Sequence, residues 1–163
     1  MKKILSVLLL ISVLSGCKNN KPFKAPDFNI PAADGTNCSL KAEKGKVILV
    51  ELWAVTCPYC LKQAKELEEL AGKIDPSKIS ILSVHARGGK DVADRVNKKI
   101  SHKNIKVCLD EKTLWKKMKD LPERFQPRGI PHMMIIDKDG MIRQVYRGLT
   151  KAAVLEKNLK SFL

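Results

Sequence analysis

The stretch Trp53-Ala54-Val55-Thr56-Cys57-Pro58-Tyr59-Cys60 closely follows the apolar run Val47–Val50. The run has the length and composition of a strand that is buried on both faces of a sheet. Apolar residues recur at helical spacing after Cys60, and a proline suits the first turn of a helix, where its missing N–H costs nothing. The sequence therefore predicts a strand-to-helix turn that carries Cys57 and Cys60.

The spacing of these two cysteines predicts a redox-active dithiol. Cysteines three positions apart can close a small disulfide ring, and a helix N-terminus favours the thiolate of the first one. A purely structural bridge and half of a zinc site are the alternatives. So short a loop gains little chain entropy from closure, and no second C-x-x-C or H-x-x-H pair is present. We therefore expect no metal, and the lack of a glycine-rich phosphate loop predicts no organic cofactor.

The N-terminus has the pattern of an export signal. Met1–Lys3 is basic, Ile4–Val13 is apolar, and the segment is too short for an ordinary membrane-spanning helix. The following Leu14-Ser15-Gly16-Cys17 resembles a bacterial lipobox, in which Cys17 would receive the lipid. An ordinary signal peptide with a chance cysteine is the alternative.

This pattern predicts three regions: a lipoprotein signal peptide at 1–16, a lipidated tether at 17–26 and one domain at 27–163. The domain would be lipid-anchored to a membrane of the bacterial cell envelope and would face the periplasm or another extracytoplasmic side, where disulfides can persist. The chain has 31 basic and 17 acidic residues, and this excess would help it dock on an anionic membrane. No nucleic-acid partner is expected, because two Trp, two Tyr and four Phe offer few stacking surfaces.

Alternating apolar segments and turns predict a single α/β domain. Small hairpins are expected around Asp34-Gly35 and at the connection that ends at Gly140. The other predicted elements are strand Lys46–Trp53, a helix from Pro58 to Gly72, strand Ile79–Val84, a helix through Val92, Val96 and Ile100, a weak strand at 106–109, a short helix with Leu114, Trp115 and Met118, strands Met133–Ile136 and Met141–Tyr146, and a last helix through Ala152, Leu155, Leu159 and Phe162.

A strand, the motif W-x-x-x-C-x-x-C, a helix and a later Ile-Pro before a hairpin together resemble the thioredoxin fold. The lipobox, the Pro26-Asp27-Phe28 entry and the Asp34-Gly35 hairpin narrow the resemblance to the TlpA/ResA/CcmG thiol:disulfide oxidoreductases, over about residues 26–163. This resemblance implies a thioredoxin fold with a central mixed β-sheet flanked by helices, an N-terminal β-hairpin and a central insertion.

The resemblance also implies roles for the site residues. Cys57 would be the exposed nucleophile, and Cys60 the more buried partner that resolves the mixed disulfide. Pro131 would follow a cis peptide bond that faces the dithiol, and the backbone of Ile130 would pair with an extended client segment. Trp53 would pack under the site. The predicted client-binding residues are Trp53, Pro58, Tyr59 and Ile130.

Glu51 is an acidic residue inside an apolar strand, where burial in the charged form is costly. Alternation along the strand could instead direct it to a solvated face. Its place two residues before Trp53 resembles the buried acid of thioredoxins, which exchanges protons with the second cysteine. Thr56 and Gln63 depart from the family pattern, since many relatives have a second tryptophan at the first position and some have an acid at the second.

Four further residues carry weaker signals. Cys108 lies in a short apolar segment and is expected to be a buried, unreactive thiol. Pairing of Cys38 with Cys108 does not follow from the sequence. His85 ends a strand and is expected at a loop edge, while His132 could either touch the site or lie on the surface.

The sequence thus favours a membrane-tethered thiol–disulfide oxidoreductase that acts on exported proteins. The family resemblance implies that it reduces their disulfides, for example in apocytochrome c before haem attachment. Its partners would be exported thiol or disulfide clients and a membrane electron donor. A disulfide isomerase or oxidase is the nearest alternative. A Sco-like copper carrier would need C-x-x-x-C, one residue more than this spacing. A peroxiredoxin would need P-x-x-x-T-x-x-C, whereas here Thr56 directly precedes Cys57.

Overall fold

The computed structural model describes residues 22–86 and 103–163, together with Arg95 and Ile100. The predicted signal peptide, the lipobox cysteine and most of the predicted helix around Val92 and Val96 lie outside the described residues. Within the described ranges, no helix is long and apolar enough to cross a bilayer.

In the described part of the chain, six strands form one mixed sheet, and two short strands form a separate hairpin. The strands are β1 Phe23–Lys24, β2 Asn29–Pro31, β3 Asn37–Ser39, β4 Val47–Trp53, β5 Ile79–His85, β6 Ile105–Leu109, β7 His132–Ile136 and β8 Met141–Arg147. The order across the sheet is β1-β8-β7-β4-β5-β6. Strands β4, β5 and β6 run parallel to one another. Strand β7 pairs antiparallel with β4, β8 pairs antiparallel with β7, and β1 pairs antiparallel with β8. The predicted mixed sheet is confirmed.

Strand β4 lies inside the sheet between β5 and β7, and all seven of its residues are buried. Its apolar residues divide by alternation: Val47, Leu49 and Trp53 pack on one face, and Ile48, Val50 and Leu52 on the other. Burial of both faces explains why the apolar run is uninterrupted. By the same alternation, Glu51 lies on the face of Leu49 and Trp53.

Three helices of the described ranges flank the sheet: α1 Pro58–Ala71, α2 Thr113–Lys119 and α3 Ala152–Lys160. A 3-10 turn spans Glu123–Phe125. Helices α1 and α3 cover the Trp53 face with Cys60, Leu67 and Leu155, among others. Gly72 follows α1 as predicted, although its φ of −73° is one that any residue adopts.

The opposite face is covered by α2 and by the β2–β3 hairpin. Gly35 turns this hairpin at a φ of +83°, a conformation that favours glycine. The hairpin is attached to β6 by the Ala33 N–H, which donates to the Val107 carbonyl at 2.9 Å. A disulfide between Cys38 and Cys108 joins the same two elements, with their Cα atoms 5.9 Å apart.

The disulfide corrects the expectation that Cys108 is an unreactive free thiol. Cys108 is fully buried, as predicted, but it is paired. The two cysteines are 70 positions apart, and only the packing of the hairpin against the edge strand brings them together.

The sheet begins inside the segment predicted as a tether at 17–26. Phe23 pairs with Ile142 and Lys24 with Met141 across β1 and β8. The folded domain therefore includes residues before the predicted start at 27.

Replacing Cys38 and Cys108 together with alanine should lower the free energy of unfolding by about 4 kcal/mol. The disulfide between them closes a loop with a sequence separation of 70 and so restricts the unfolded chain strongly. Urea unfolding of the double variant and the wild type measures this difference. The control is the Cys57→Ala/Cys60→Ala double variant, which opens a loop of only three positions and should lose much less. A loss below about 1 kcal/mol for the first pair would contradict the prediction.

Candidate active site

The turn from β4 to α1 is held by backbone hydrogen bonds. The Cys57 N–H donates to the Ala54 carbonyl at 3.0 Å, and the Ala86 N–H donates to the Trp53 carbonyl at 2.9 Å. Cys57 is the extended residue that caps α1, and Pro58 takes the first helical position. The predicted turn is confirmed, and it places Cys57 at the positive end of the helix dipole.

Cys57 and Cys60 form a disulfide, with their Cα atoms 5.2 Å apart. Their environments differ, because Cys57 is half-buried whereas Cys60 is fully buried in the core under α1. The Cys60 N–H donates to the Cys57 Sγ at 3.2 Å. A sulfur that accepts a backbone N–H at a helix N-terminus is stabilised as a thiolate. This asymmetry is the one expected of an exposed nucleophile and a buried resolving cysteine.

The peptide bond between Ile130 and Pro131 is cis, as the resemblance implied. Pro131 directly precedes β7, the antiparallel neighbour of β4. The Ile130 carbonyl oxygen lies 3.7 Å from the Cys57 Sγ. The proline loop and the dithiol therefore meet at one surface, where an extended client segment could pair with the Ile130 backbone.

A cavity of about 330 Å³ opens beside this surface. It is lined by Thr56 from the turn, Ile130 from the proline loop, and Trp115 and Lys112 from the start of α2. Lys112 has a φ of +73°, and no other non-glycine residue in the described part of the chain has a positive φ. The sequence predicted Trp115 only as part of a short helix, because nothing local indicates that α2 packs beside the cysteines.

Three of the predicted client-binding residues differ sharply in exposure. Trp53 is fully buried and packs edge-on against His85, with the ring centroids 5.2 Å apart. It therefore packs under the site, as expected, and has no exposed surface at which a client could bind. Pro58 is exposed, and Tyr59 is 62% exposed, with the Lys62 ammonium 5.5 Å from its ring centre.

Glu51 is buried, and the alternative of a solvated face is wrong. The Ser83 hydroxyl donates to its Oε2 at 2.7 Å, whereas Oε1 has no hydrogen-bond partner among the described residues. Burial raises the pKa of Glu51 from 4.5 to about 7, and the Ser83 hydrogen bond opposes part of this rise. Glu51 shares the α1-covered face of β4 with Trp53, on the side where Cys60 is buried. Its carboxyl can thus take up or release a proton near neutral pH.

Gln63 occupies the position where some relatives have a second acid. It is fully buried, its Nε2 donates to the Thr150 carbonyl at 3.0 Å, and its Oε1 accepts the Thr150 N–H at 2.7 Å. An amide satisfies both backbone groups, whereas a carboxylate could only accept. Gln63 therefore attaches α1 to the segment that leads into α3.

His85 and His132 are both buried. His85 ends β5, as expected, but its burial corrects the expectation of a loop-edge position, and its Nε2 accepts the Val55 N–H at 3.0 Å. His132 pairs with Leu52 and shares the face opposite the dithiol, so it does not touch the site. Burial and the charge of Arg147 lower the pKa of His132 to about 4. Residues two apart in a strand lie on the same face, so His85 lies on the face of Ser83. This alternation is the sequence signal that could have placed the His85 side chain near the turn between β4 and α1.

No group of three or more His, Cys, Asp or Glu side chains lies close enough to hold a metal ion in the part of the chain that the structure describes. The groups that the site offers for chemistry include the sulfurs of Cys57 and Cys60 and the buried carboxyl of Glu51.

The family model named Redoxin matches residues 19–162. The chain belongs to the Redoxin family. This Redoxin protein is 30% identical over 152 residues to an uncharacterized protein of Haemophilus influenzae, covering 91% of this chain and 92% of that protein. It is 26% identical to the thiol-disulfide oxidoreductase ResA of Bacillus thuringiensis subsp. konkukian, covering 84% of this chain and 75% of the relative.

The fold of this Redoxin protein is also similar to solved thioredoxin-like structures. A thiol:disulfide interchange protein of Chlorobium tepidum superposes with a TM-score of 0.74 at 20% identity, covering 87% of this chain and 97% of that one. The predicted thioredoxin fold and TlpA/ResA/CcmG-like family are confirmed. The protein is a thiol–disulfide oxidoreductase that acts on thiol-bearing substrates.

Replacing Glu51 with glutamine should make the Redoxin domain more stable at pH 8 and less sensitive to pH. In the wild type, the folded state holds the Glu51 proton up to about pH 7, whereas the unfolded state loses it near 4.5. Stability therefore falls as pH rises through this window, by up to about 3 kcal/mol. Urea unfolding at several pH values measures the effect.

The control is Glu111→Gln, the same change at an exposed glutamate, which should keep the wild-type pH dependence. A Glu51→Gln variant whose stability falls with pH as steeply as that of the wild type would contradict the assignment of this slope to Glu51.

Proposed function

We propose that the chain is a membrane-anchored, extracytoplasmic enzyme that reduces disulfides in exported proteins through Cys57 and Cys60. The observation that carries the proposal is the juxtaposition of the Cys57 Sγ with the helix N-terminus and with the Ile130 carbonyl before a cis proline. A thiolate at this place is both stabilised and open to an extended client.

The first step is attack by the Cys57 thiolate on one sulfur of the client disulfide. A sulfur–sulfur bond forms between Cys57 and the client as the client bond breaks, and the other client sulfur leaves as a thiolate. The Cys60 N–H, which donates to the Cys57 Sγ, stabilises the attacking thiolate.

The second step is attack by Cys60 on the Cys57 sulfur. The Glu51 carboxylate takes the proton of the Cys60 thiol, since its raised pKa of about 7 matches a group that gains and loses protons near neutral pH. The Cys57–Cys60 bond forms, the client leaves as a second thiolate, and two electrons have passed to the client. A membrane-bound dithiol partner then reduces Cys57–Cys60 and restores the enzyme.

Client recognition involves the surface around the proline loop. The backbone of Ile130 pairs with an extended client segment next to the client cysteine. The cavity lined by Thr56, Trp115 and Lys112 receives a neighbouring client side chain. Pro58 and Tyr59, which lie between the two cysteines in the sequence, are both exposed.

The N-terminal sequence supports the proposed place of action. Leu14-Ser15-Gly16-Cys17 supports lipidation at Cys17, and only residues 18–22 separate this cysteine from β1. The lipid holds the domain at the membrane on the extracytoplasmic side, and the excess of basic residues favours contact with anionic lipids. The resemblance to ResA-like and CcmG-like proteins supports the reducing direction, with apocytochrome c as a candidate client.

The reduction potential of the Cys57–Cys60 couple tests the direction of electron flow. A fragment that starts at residue 18 is equilibrated in thiol redox buffers, tryptophan fluorescence is followed, and alkylation confirms the redox state. We expect a value of about −230 mV or lower, as for a reductant. A value of about −180 to −120 mV would instead favour the isomerase or oxidase alternative.

A Cys60→Ser variant should accumulate mixed disulfides between Cys57 and exported proteins, because the resolving thiol is missing. Non-reducing electrophoresis and mass spectrometry of the full chain in its cell envelope identify the adducts, and a Cys57→Ser/Cys60→Ser variant is the control. Absence of adducts at normal expression would contradict the proposed function. Mass spectrometry of the mature chain from the same membranes should find a lipid on Cys17; an unmodified Cys17 would contradict the proposed anchor.

A further inference from the structure

The side chain of His85 lies directly behind the turn that carries Cys57. His85 is the last residue of β5, opposite Trp53 of β4 and Leu109 of β6. Only 2% of it is exposed, and its ring meets the Trp53 ring nearly at a right angle, at 89°. His85 is therefore held at a fixed position by two neighbouring strands and by an aromatic contact.

A hydrogen bond joins this histidine to the active-site turn. The Val55 N–H donates to the His85 Nε2 at 3.0 Å, across 30 positions of sequence. Val55 lies beyond the end of β4, so the strand ladder supplies no acceptor for it. The Ala86 N–H, which donates to the Trp53 carbonyl, is the backbone contact beside it. The end of β5 thus holds the turn through one backbone bond and one side chain.

The turn held in this way ends at Cys57. The Cys57 N–H donates to the Ala54 carbonyl, which places Val55 inside the loop that this bond closes. The Cys57 Sγ must stay within reach of the Cys60 N–H, at 3.2 Å, and beside the Ile130 carbonyl, at 3.7 Å. A shift of the turn would move the sulfur away from the helix N-terminus that stabilises its thiolate.

We propose that His85 is a positioning residue for the exchange reaction: its neutral imidazole, with the proton on Nδ1, accepts the Val55 N–H and holds the turn that presents Cys57. Only this tautomer leaves a lone pair on Nε2. The proposal rests on the role of Cys57 as the nucleophile, given above. It adds that the reactivity of Cys57 depends on an acceptor atom located at the end of β5.

Three substitutions separate the acceptor from the bulk of the ring. His85→Gln places its Oε1 about where Nε2 lies, His85→Asn places an acceptor nearer to Nδ1, and His85→Leu has none. In reduced protein at pH 7, we expect alkylation of Cys57 by iodoacetamide to slow about tenfold in the Leu and Asn variants and about twofold or less in the Gln variant. Mass spectrometry counts the modified Cys57.

The redox equilibrium gives a second readout that packing alone would not move in this pattern. Loss of thiolate stabilisation destabilises the reduced form, so the equilibrium constant with glutathione should shift about tenfold toward the Cys57–Cys60 disulfide in the Leu and Asn variants, equivalent to about 30 mV. The Gln variant should match the wild type. A Leu variant that matches the wild type, or a Gln variant as impaired as the Leu variant, would overturn the proposal.

The tautomer of the wild-type protein decides the case even if a variant fails to fold. Nitrogen-15 NMR distinguishes a protonated from an unprotonated imidazole nitrogen, and we expect the His85 proton on Nδ1. A proton on Nε2 in the folded wild type would overturn the proposal. Alkylation of Cys57 needs no client protein. If the Cys60→Ser variant traps no client, the proposed function is contradicted, but the alkylation rates of the His85 variants still test the role of His85.

Discussion

The central position of β4 is the constraint on which the rest of the structure depends. The strand pairs with β5 on one side and with β7 on the other, and both of its faces are buried. These pairings fix the position of the end of β4 next to the end of β5 and the start of β7. Cys57 follows four residues after Trp53 and meets the loop before β7 because both strands are fixed in register.

Burial of β4 also decides the electrostatics of the dithiol. A carboxyl on its α1-covered face has no route to solvent, so Glu51 is held with a raised pKa and a single hydroxyl donor, Ser83, from the neighbouring strand. Leaving Oε1 without a partner among the described residues disfavours the charged form further. The same packing that stabilises the sheet thus makes a proton acceptor that works near neutral pH.

Local sequence predicted the parts of the molecule that depend on near neighbours. Strand β4, helix α1 and the turn with Cys57 follow from an apolar run, helical spacing and a proline at the first helical position. The cis bond before Pro131 followed from the family resemblance and not from physics, because most X–Pro bonds are trans. These features need no knowledge of how distant segments pack.

Contacts between distant segments could not be predicted in this way. The Cys38–Cys108 disulfide depends on the β2–β3 hairpin packing against β6, and the Val55–His85 hydrogen bond on the common end of β4 and β5. The role of Gln63 likewise depends on a contact with a distant segment. The sequence showed that an acid is absent there, but only the two bonds to Thr150 show why an amide fits. Because residue 63 is a glutamine, it adds no carboxyl to the α1-covered face of the sheet, where Glu51 is buried. The titration of Glu51 is therefore not coupled to an acid at position 63.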